Sequence, residues 1–293
     1  MAFITPMFAA PSPKTGGYAF VSTGVWYAEE KFDGIRLIIE VQRDVPEDLL
    51  SPHCIRTWSR DGLPHAVPRH LRECLAKLPT GIYDGELFVP GKRSYGTLRL
   101  SEQANQRITV FDVLEINGQT TRDLAYIDRR HLLEAIFTHR ELVPVETHLS
   151  LAVAVLVQSE QDVTTLRDAL WAQDREGLIL KNGKSLYLSN SRRKNTWIKV
   201  KDLRSDVLTV TGFEPSRGEI VDRGPYAMVT LRDDEGNITQ VKTRNDRELD
   251  RLEKAAIAGS KHPWIGRQLR IEYQERTPDG SYRHPRWDRW EDE

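Results

Sequence analysis

The chain has 293 residues, 39% of them hydrophobic, enough to fill the core of one large domain or of two medium ones. A formal net charge of -1 excludes a protein held to polyanions by overall charge, so any phosphate binding has to come from local clusters. Two cysteines, Cys54 and Cys74, are too few for a disulfide framework, and their spacing fits no metal site.

Residues 1–13 have neither a charged start nor a long apolar stretch and carry Pro6, Pro11 and Pro13, so no secretory leader is expected. With no apolar run of membrane-spanning length, the expected setting is the cytoplasm, that of a host cell if the gene is viral. Alternation predicts a strand at 35–41, a connecting loop at 43–53 and a strand at 55–58. A helix is predicted over 68–77, where Leu71, Leu75 and Leu78 recur at helical spacing. Residues 107–114 read as a strand with Ile108, Val110 and Asp112 on one face and Thr109, Phe111 and Val113 on the other. Asp128 is placed as the cap of a second helix carrying Leu132, Leu133, Ile136 and Phe137. Ser159 and Asp162 form a capping box ahead of Val163, Leu166 and Leu170.

After residue 201 the pattern changes to short strands at 207–213, 226–231, 238–242 and 269–273, with an Asp-Asp-Glu-Gly turn at 233–236 and a helix at 246–257. The expected architecture is therefore α+β: mixed antiparallel sheets with packed helices over 1–203, then a small all-β barrel over 204–293. A polar hinge is expected near 202–205. There is no internal repeat and no low-complexity tract.

The residues able to do chemistry recur along this framework. Tyr27-Ala28-Glu29-Glu30-Lys31-Phe32-Asp33-Gly34-Ile35-Arg36 sets a lysine and an arginine around a small turn ahead of an apolar strand. A lysine attacks phosphorus only as a neutral amine, which nearby cations or burial favour and the preceding acids Glu29 and Glu30, if close, oppose. Taken alone, Lys-x-Asp-Gly is a surface turn. Downstream, however, Glu86 opens an apolar strand, Phe111 sits on another, and Glu176 opens Glu176-Gly177-Leu178-Ile179-Leu180-Lys181. In Trp197-Ile198-Lys199-Val200-Lys201 the strand period sends both amines to one face, so two cations point into one space. Between Lys181 and Arg204 lie Lys184, Arg192, Arg193, Lys194, Lys199 and Lys201 against the single acid Asp202, and turns at Asn182-Gly183 and Ser189-Asn190-Ser191 make this a phosphate-facing loop rather than a solvated helix.

In this order and spacing the segments resemble the covalent nucleotidyltransferase superfamily, and within it the ATP-dependent DNA ligases of compact two-domain viral and bacterial type. The resemblance covers nearly the whole chain. It implies a nucleotidyltransferase (ATP-grasp-like) adenylation domain followed by an OB-fold barrel. It also implies that Lys31 attacks the α-phosphate of ATP, that AMP passes to the 5′-phosphate of a nick, and that the 3′-hydroxyl displaces it. By the same resemblance Lys199 and Lys201 contact the α-phosphate, and Phe111 stacks on adenine with Glu29 beside its edge. Glu86 lies near the ribose and, with Glu176, the Mg²⁺, for which Mn²⁺ can substitute. Arg36 and Arg60 touch the AMP ribose or the nick 5′-phosphate. DNA contacts are expected from Arg36, Arg60, Arg192, Arg193, Lys194 and, in the loop 216–226, Arg217. The partner implied is nicked duplex DNA, held by a monomer that encircles it as the OB domain closes.

Thr277-Pro278-Asp279-Gly280-Ser281-Tyr282-Arg283-His284-Pro285 resembles the closing segment of compact DNA ligases, but the Arg-x-Asp-Lys ending of many relatives reads Arg286-Trp287-Asp288-Arg289 here. Arg286 or Arg289 is the candidate stand-in. About thirty residues precede Lys31, too few for a separate DNA-binding domain. Sister readings are an RNA ligase and a GTP-using mRNA capping guanylyltransferase; the OB barrel and Arg283-His284-Pro285 favour a DNA ligase over an RNA ligase. A non-catalytic OB-type nucleic-acid binder would not need Lys31, Glu86, Glu176, Lys199 and Lys201 together.

Overall fold

The computed structural model describes residues 3–12, 17–48, 51–92, 99–138, 148–201, 204–215, 227–242, 261–277 and 279–291, in two units, 1–200 and 201–293. The first unit is built on two sheets. One has the spatial order 51–59, 35–48, 81–88, 107–116, 119–120, with 149–151 joining 107–116 in parallel. The other runs 10–11, 197–201, 177–182, 26–30, 154–157.

The loop expected at 43–53 is instead the far end of a hairpin, in which Arg43 pairs with His53 and Asp48 with Ser51 across a register shift. The polar, proline-bearing sequence reads as loop, yet beyond Val41 this strand has one neighbour only, so Pro46 needs no partner for an N–H that it lacks. Among the described residues three α-helices accompany these sheets: α1 (Arg69–Leu75), α2 (Tyr126–Thr138) and α3 (Glu160–Trp171). The capping box of α3 forms as expected, with Ser159 Oγ accepting from the Asp162 amide and Asp162 from that of Ser159. Asp128 is not a cap; α2 starts two residues earlier and Asp128 lies in its first turn, where a carboxylate still suits the helix dipole.

Strand alternation sorts the second sheet. Ile198 and Val200 are buried with Trp26, Ala28, Leu178 and Leu180 beneath Val163 of α3, leaving Lys199 and Lys201 half-buried on the other side. In the first sheet Leu37, Ile39, Tyr83 and Val110 bury one face with Leu71 and Leu75 of α1. The opposite face, Ile38, Ile82 and Leu114, packs with Trp197 of the second sheet through Met7 and Tyr187. The residues that could do chemistry gather beside this junction.

The second unit is an antiparallel sheet ordered 238–241, 227–232, 204–215, 268–273, 286–290, around Leu208, Val229, Leu269, Ile271, Trp287 and Trp290. Four of these strands are the predicted ones, and the fifth is the C-terminal segment Arg286–Trp290. Among the described residues its edge strands, 238–241 and 286–290, do not pair, so the expected barrel appears as an open five-stranded sheet. The predicted helix at 246–257 and the loop 216–226 with Arg217 lie outside the described residues.

Candidate active site

A cavity of about 450 Å³ lies in the first unit, lined by Lys31, Arg36, Arg60, Glu86, Phe111, Arg192 and Lys199 from the predicted set, together with Phe8, Ile179, Lys181 and Trp197. Lys31 follows directly on strand 26–30, its backbone tied by a 2.9 Å hydrogen bond to the Gly177 carbonyl. Its ammonium meets Glu176 Oε2 at 2.5 Å, with the two side chains 23% and 12% exposed. Gly34 is required just beyond, since a Cβ there would lie 2.1 Å from the Leu87 carbonyl oxygen. That close approach brings the Gly34 amide to Glu86, where it donates to Oε1 at 3.2 Å.

The two acids before the nucleophile do not act on it as expected. Alternation along 26–30 turns Glu29 inward, where Oε2 pairs with Lys181 at 2.7 Å and Oε1 accepts from the Tyr126 hydroxyl. Glu30 pairs with Arg175 at 3.1 Å. Glu29 is 2% exposed and does not line the cavity; the group that does at this point is Lys181. Lys181 also donates to the Phe111 carbonyl at 2.9 Å and sits 4.3 Å from the centroid of the Trp197 ring. Burial pushes its pKa down from the usual lysine value, against the pull of Glu29. The strand period puts Lys181 on the face of Ile179, but the sequence reading gives it no role there, only a place at one bound of the basic run.

Arg36 is anchored rather than open. Nε and Nη2 donate to the two oxygens of Asp84 at 2.8 and 2.5 Å, and Nη1 donates to the Met7 carbonyl at 2.7 Å. Burial lowers its pKa, but Asp84, Tyr187 and Glu86 outweigh that and hold it above the ordinary arginine value. Its guanidinium carbon also lies 5.4 Å from the Phe111 ring centroid. Arg60 is exposed beside Asp61 at 3.3 Å. Arg192, Arg193 and Lys194 of the basic run are all exposed, and of the three Arg192 lines the cavity. Lys201, two residues beyond Lys199 in the strand, does not line it either.

A β-bulge interrupts this strand at Phe111. Asp84 pairs with Asp112 and Gly85 with Val110, so Phe111 is the extra residue and the alternation shifts beyond it. Phe111 keeps to the face opposite Ile108 and Val110, packing with Ile82, Leu114 and Trp197, whereas Val113 joins the cluster of Ile108 and Val110, contrary to simple alternation.

Glu86 is held in an unusual state. Burial pushes its pKa up to about 7, helped by Glu176 and opposed by Lys31, Arg36 and the Gly34 amide. Because the folded value lies above the ordinary carboxylate value, its ionisation weakens the fold progressively as pH rises from about 4.5 through 7. Glu86→Gln should therefore leave thermal stability at pH 4.5 nearly unchanged and raise it at pH 8 by on the order of 1–3 kcal/mol. Melting curves at the two pH values check this, and an equal shift at both contradicts it.

The residues fit a nucleotide and a hard cation. The cavity is lined by aromatic rings, among them Phe111 and Trp197, and by several cations. Mg²⁺ ordinarily takes one or two carboxylates from a protein and completes its shell with water and phosphate, a donor set that Glu86 and Glu176 fit. No group of three or more metal-ligating side chains is found among the described residues, which a magnesium site of this kind does not require.

The family model of the ATP dependent DNA ligase domain matches residues 6–201. DNA ligase 4 of Coccidioides immitis is 29% identical over 206 residues, 60% of this chain and 20% of that one. A DNA ligase of Methanothrix thermoacetophila is 25% identical over 245 residues, covering 76% and 41%. The chain thus spans less than half the length of these relatives. Among solved structures, a Lig E DNA ligase shares the fold with a TM-score of 0.71 at 17% identity, over 99% of this chain and 100% of that one. With more than half of its length matched by the family model, the chain belongs to the ATP-dependent DNA ligase family.

Proposed function

We propose that this protein seals nicks in duplex DNA, using ATP as AMP donor, through a lysyl-adenylate on Lys31 and a 5′-adenylated DNA strand. The observation that carries the reading is a lysine held by a carboxylate at the wall of a cavity bearing an aromatic face and several cations. Nucleotidyl transfer depends mainly on positioning and electrostatic stabilisation, which this arrangement supplies.

In the first step the Lys31 nitrogen forms a bond to the α-phosphorus as the bond to pyrophosphate breaks. The Lys31–Glu176 ion pair has to open for this, because the attacking amine must have lost its proton. Lys199, which lines the cavity, bears on the phosphate oxygens as charge develops; Lys201, on the same strand face but off the cavity wall, is the second cation for this role. Phe111 offers its face to the purine, and Lys181, fixed by Glu29, stands at the base end of the cavity. Glu86 and Glu176 would hold Mg²⁺, which would supply neutralisation of phosphate charge. AMP then passes to the 5′-phosphate of the nick, and the 3′-hydroxyl displaces it. Residues 1–203 carry the adenylation and 204–293 form the OB domain. Arg60, Arg192, Arg193, Lys194 and Arg217 face the DNA, while Arg36 acts through its grip on Asp84. The protein works as a cytoplasmic monomer that closes around the duplex; its buried thiols Cys54 and Cys74 suit a reducing compartment.

The test is incubation with Mg²⁺ and α-labelled ATP or GTP, followed by a chase with nicked DNA or nicked RNA, with sedimentation giving one protein per nick. Label from ATP released on sealing of DNA supports the reading. GTP labelling or RNA-only sealing moves it to a sister activity, and no label leaves a non-catalytic binder. Arg60→Ala should lower nick sealing about tenfold or more while reducing label transfer less than threefold, as expected for a group that touches DNA phosphate. Equal loss of both steps removes Arg60 from the DNA contact.

A further inference from the structure

The cavity's cations differ in what holds them. Arg36 is bound to Asp84, Lys181 to Glu29, Lys31 to Glu176, and Arg60 stands beside Asp61. Arg192 has no acidic partner among the described residues; its guanidinium carbon instead lies 5.7 Å from the centroid of the Phe8 ring. Phe8 belongs to an arm, residues 3–9, without secondary structure of its own. Its neighbours Ile4 and Ala9 pack on the core at the sheet junction, and Phe8 is not among the residues that do.

The arm nevertheless fixes the segment that carries Arg192. The Asn190 amide donates to the Pro6 carbonyl at 3.3 Å and the Phe8 amide to the Ser191 carbonyl at 2.8 Å. Asn190 adopts a left-handed φ of 52°, which asparagine tolerates, and Ser191 and Arg192 follow from that turn. An aromatic face orients a guanidinium without neutralising it or occupying its in-plane donors, whereas a carboxylate would do both.

We propose that Phe8 is a positioning residue that presents Arg192 to the cavity as an uncommitted phosphate-binding group. The inference rests on the ligase reading and adds to it the N-terminal arm as part of the phosphate site. The phosphate comes either from the nucleotide or from the nick, and the two half-reactions separate these sources.

The experiment compares Phe8→Ala, Phe8→Leu and Phe8→Trp, alone and combined with Arg192→Ala, in two assays: label uptake from α-labelled ATP, and sealing of nicked duplex by pre-adenylated protein. Loss of a cation–π contact at an accessible site should raise KM about three- to fivefold in one of the assays with kcat within about twofold. Phe8→Trp should restore it and Phe8→Leu should not, and Phe8→Ala should add nothing in the Arg192→Ala background. A raised KM for ATP identifies nucleotide phosphate, and a raised KM for DNA the phosphate of the nick. Wild-type behaviour of Phe8→Leu, additive effects with Arg192→Ala, or no change in either assay overturns the proposal. If the wild type takes no label at all, the ligase reading falls with it; if the wild type labels and Phe8→Ala matches it in both assays, this inference alone falls.

Discussion

Lys31→Ala should abolish transfer of label from ATP to the protein, with a loss on the order of 10⁴-fold or more, since a covalent nucleophile has no substitute in its own step. Its structural effect should be small. The Lys31–Glu176 pair is partly open to water and the Lys31 backbone is held independently by the Gly177 carbonyl, so stability should change by about 1 kcal/mol or less. The variant supplied with pre-adenylated nicked DNA bypasses the missing step and should seal it at a measurable rate. Label retained on Lys31→Ala protein would place the nucleophile elsewhere.

Arg129→Met should give the largest loss of stability. Arg129 and Asp112 are 0% and 1% exposed and share two hydrogen bonds of 2.7 and 2.9 Å. Arg129 also donates to the Leu124 and Ser185 carbonyls at 2.7 and 3.2 Å, tying α2 to the turn ahead of Tyr187. Removing the cation strands a buried carboxylate, at a cost of about 3–5 kcal/mol. Removing both charges in Arg129→Met/Asp112→Leu should recover most of that loss, since an apolar pair of similar volume replaces a costly one. Urea denaturation of the three proteins checks the ordering, and a double variant no more stable than the single one contradicts it.

Much of the site was legible because it depends on short-range rules. The period of two in 197–201 predicted that Lys199 and Lys201 share a face opposite Ile198 and Val200, which are buried. The capping box at Ser159 was legible for the same reason, since all its atoms lie within one turn. Local rules do not reach the partners that segments distant in sequence supply. Glu29 was placed near the base edge, but Lys181 and Tyr126 take its two oxygens. Glu30 and Glu29 were expected to oppose the nucleophile, and the acid that reaches Lys31 is Glu176, from 145 residues away. Arg36 read as an open phosphate reader until Asp84, 48 residues on, proved to hold its fork.

By itself the sequence determined most of the strands, the helices of the first unit, the change of pattern after residue 201 and the run of Lys31, Glu86, Phe111, Glu176 and Lys199, because these follow from backbone periodicity and residue type. Only the tertiary structure decided which charges are available. Ion pairing falls off within a few ångströms and depends on which strands pair, which the linear order does not state. The bulge that turns Val113 to the face of Ile108 and Val110 and the arm that sets Phe8 against Arg192 belong to this second kind, since each arises from a register or a contact between segments remote in the chain.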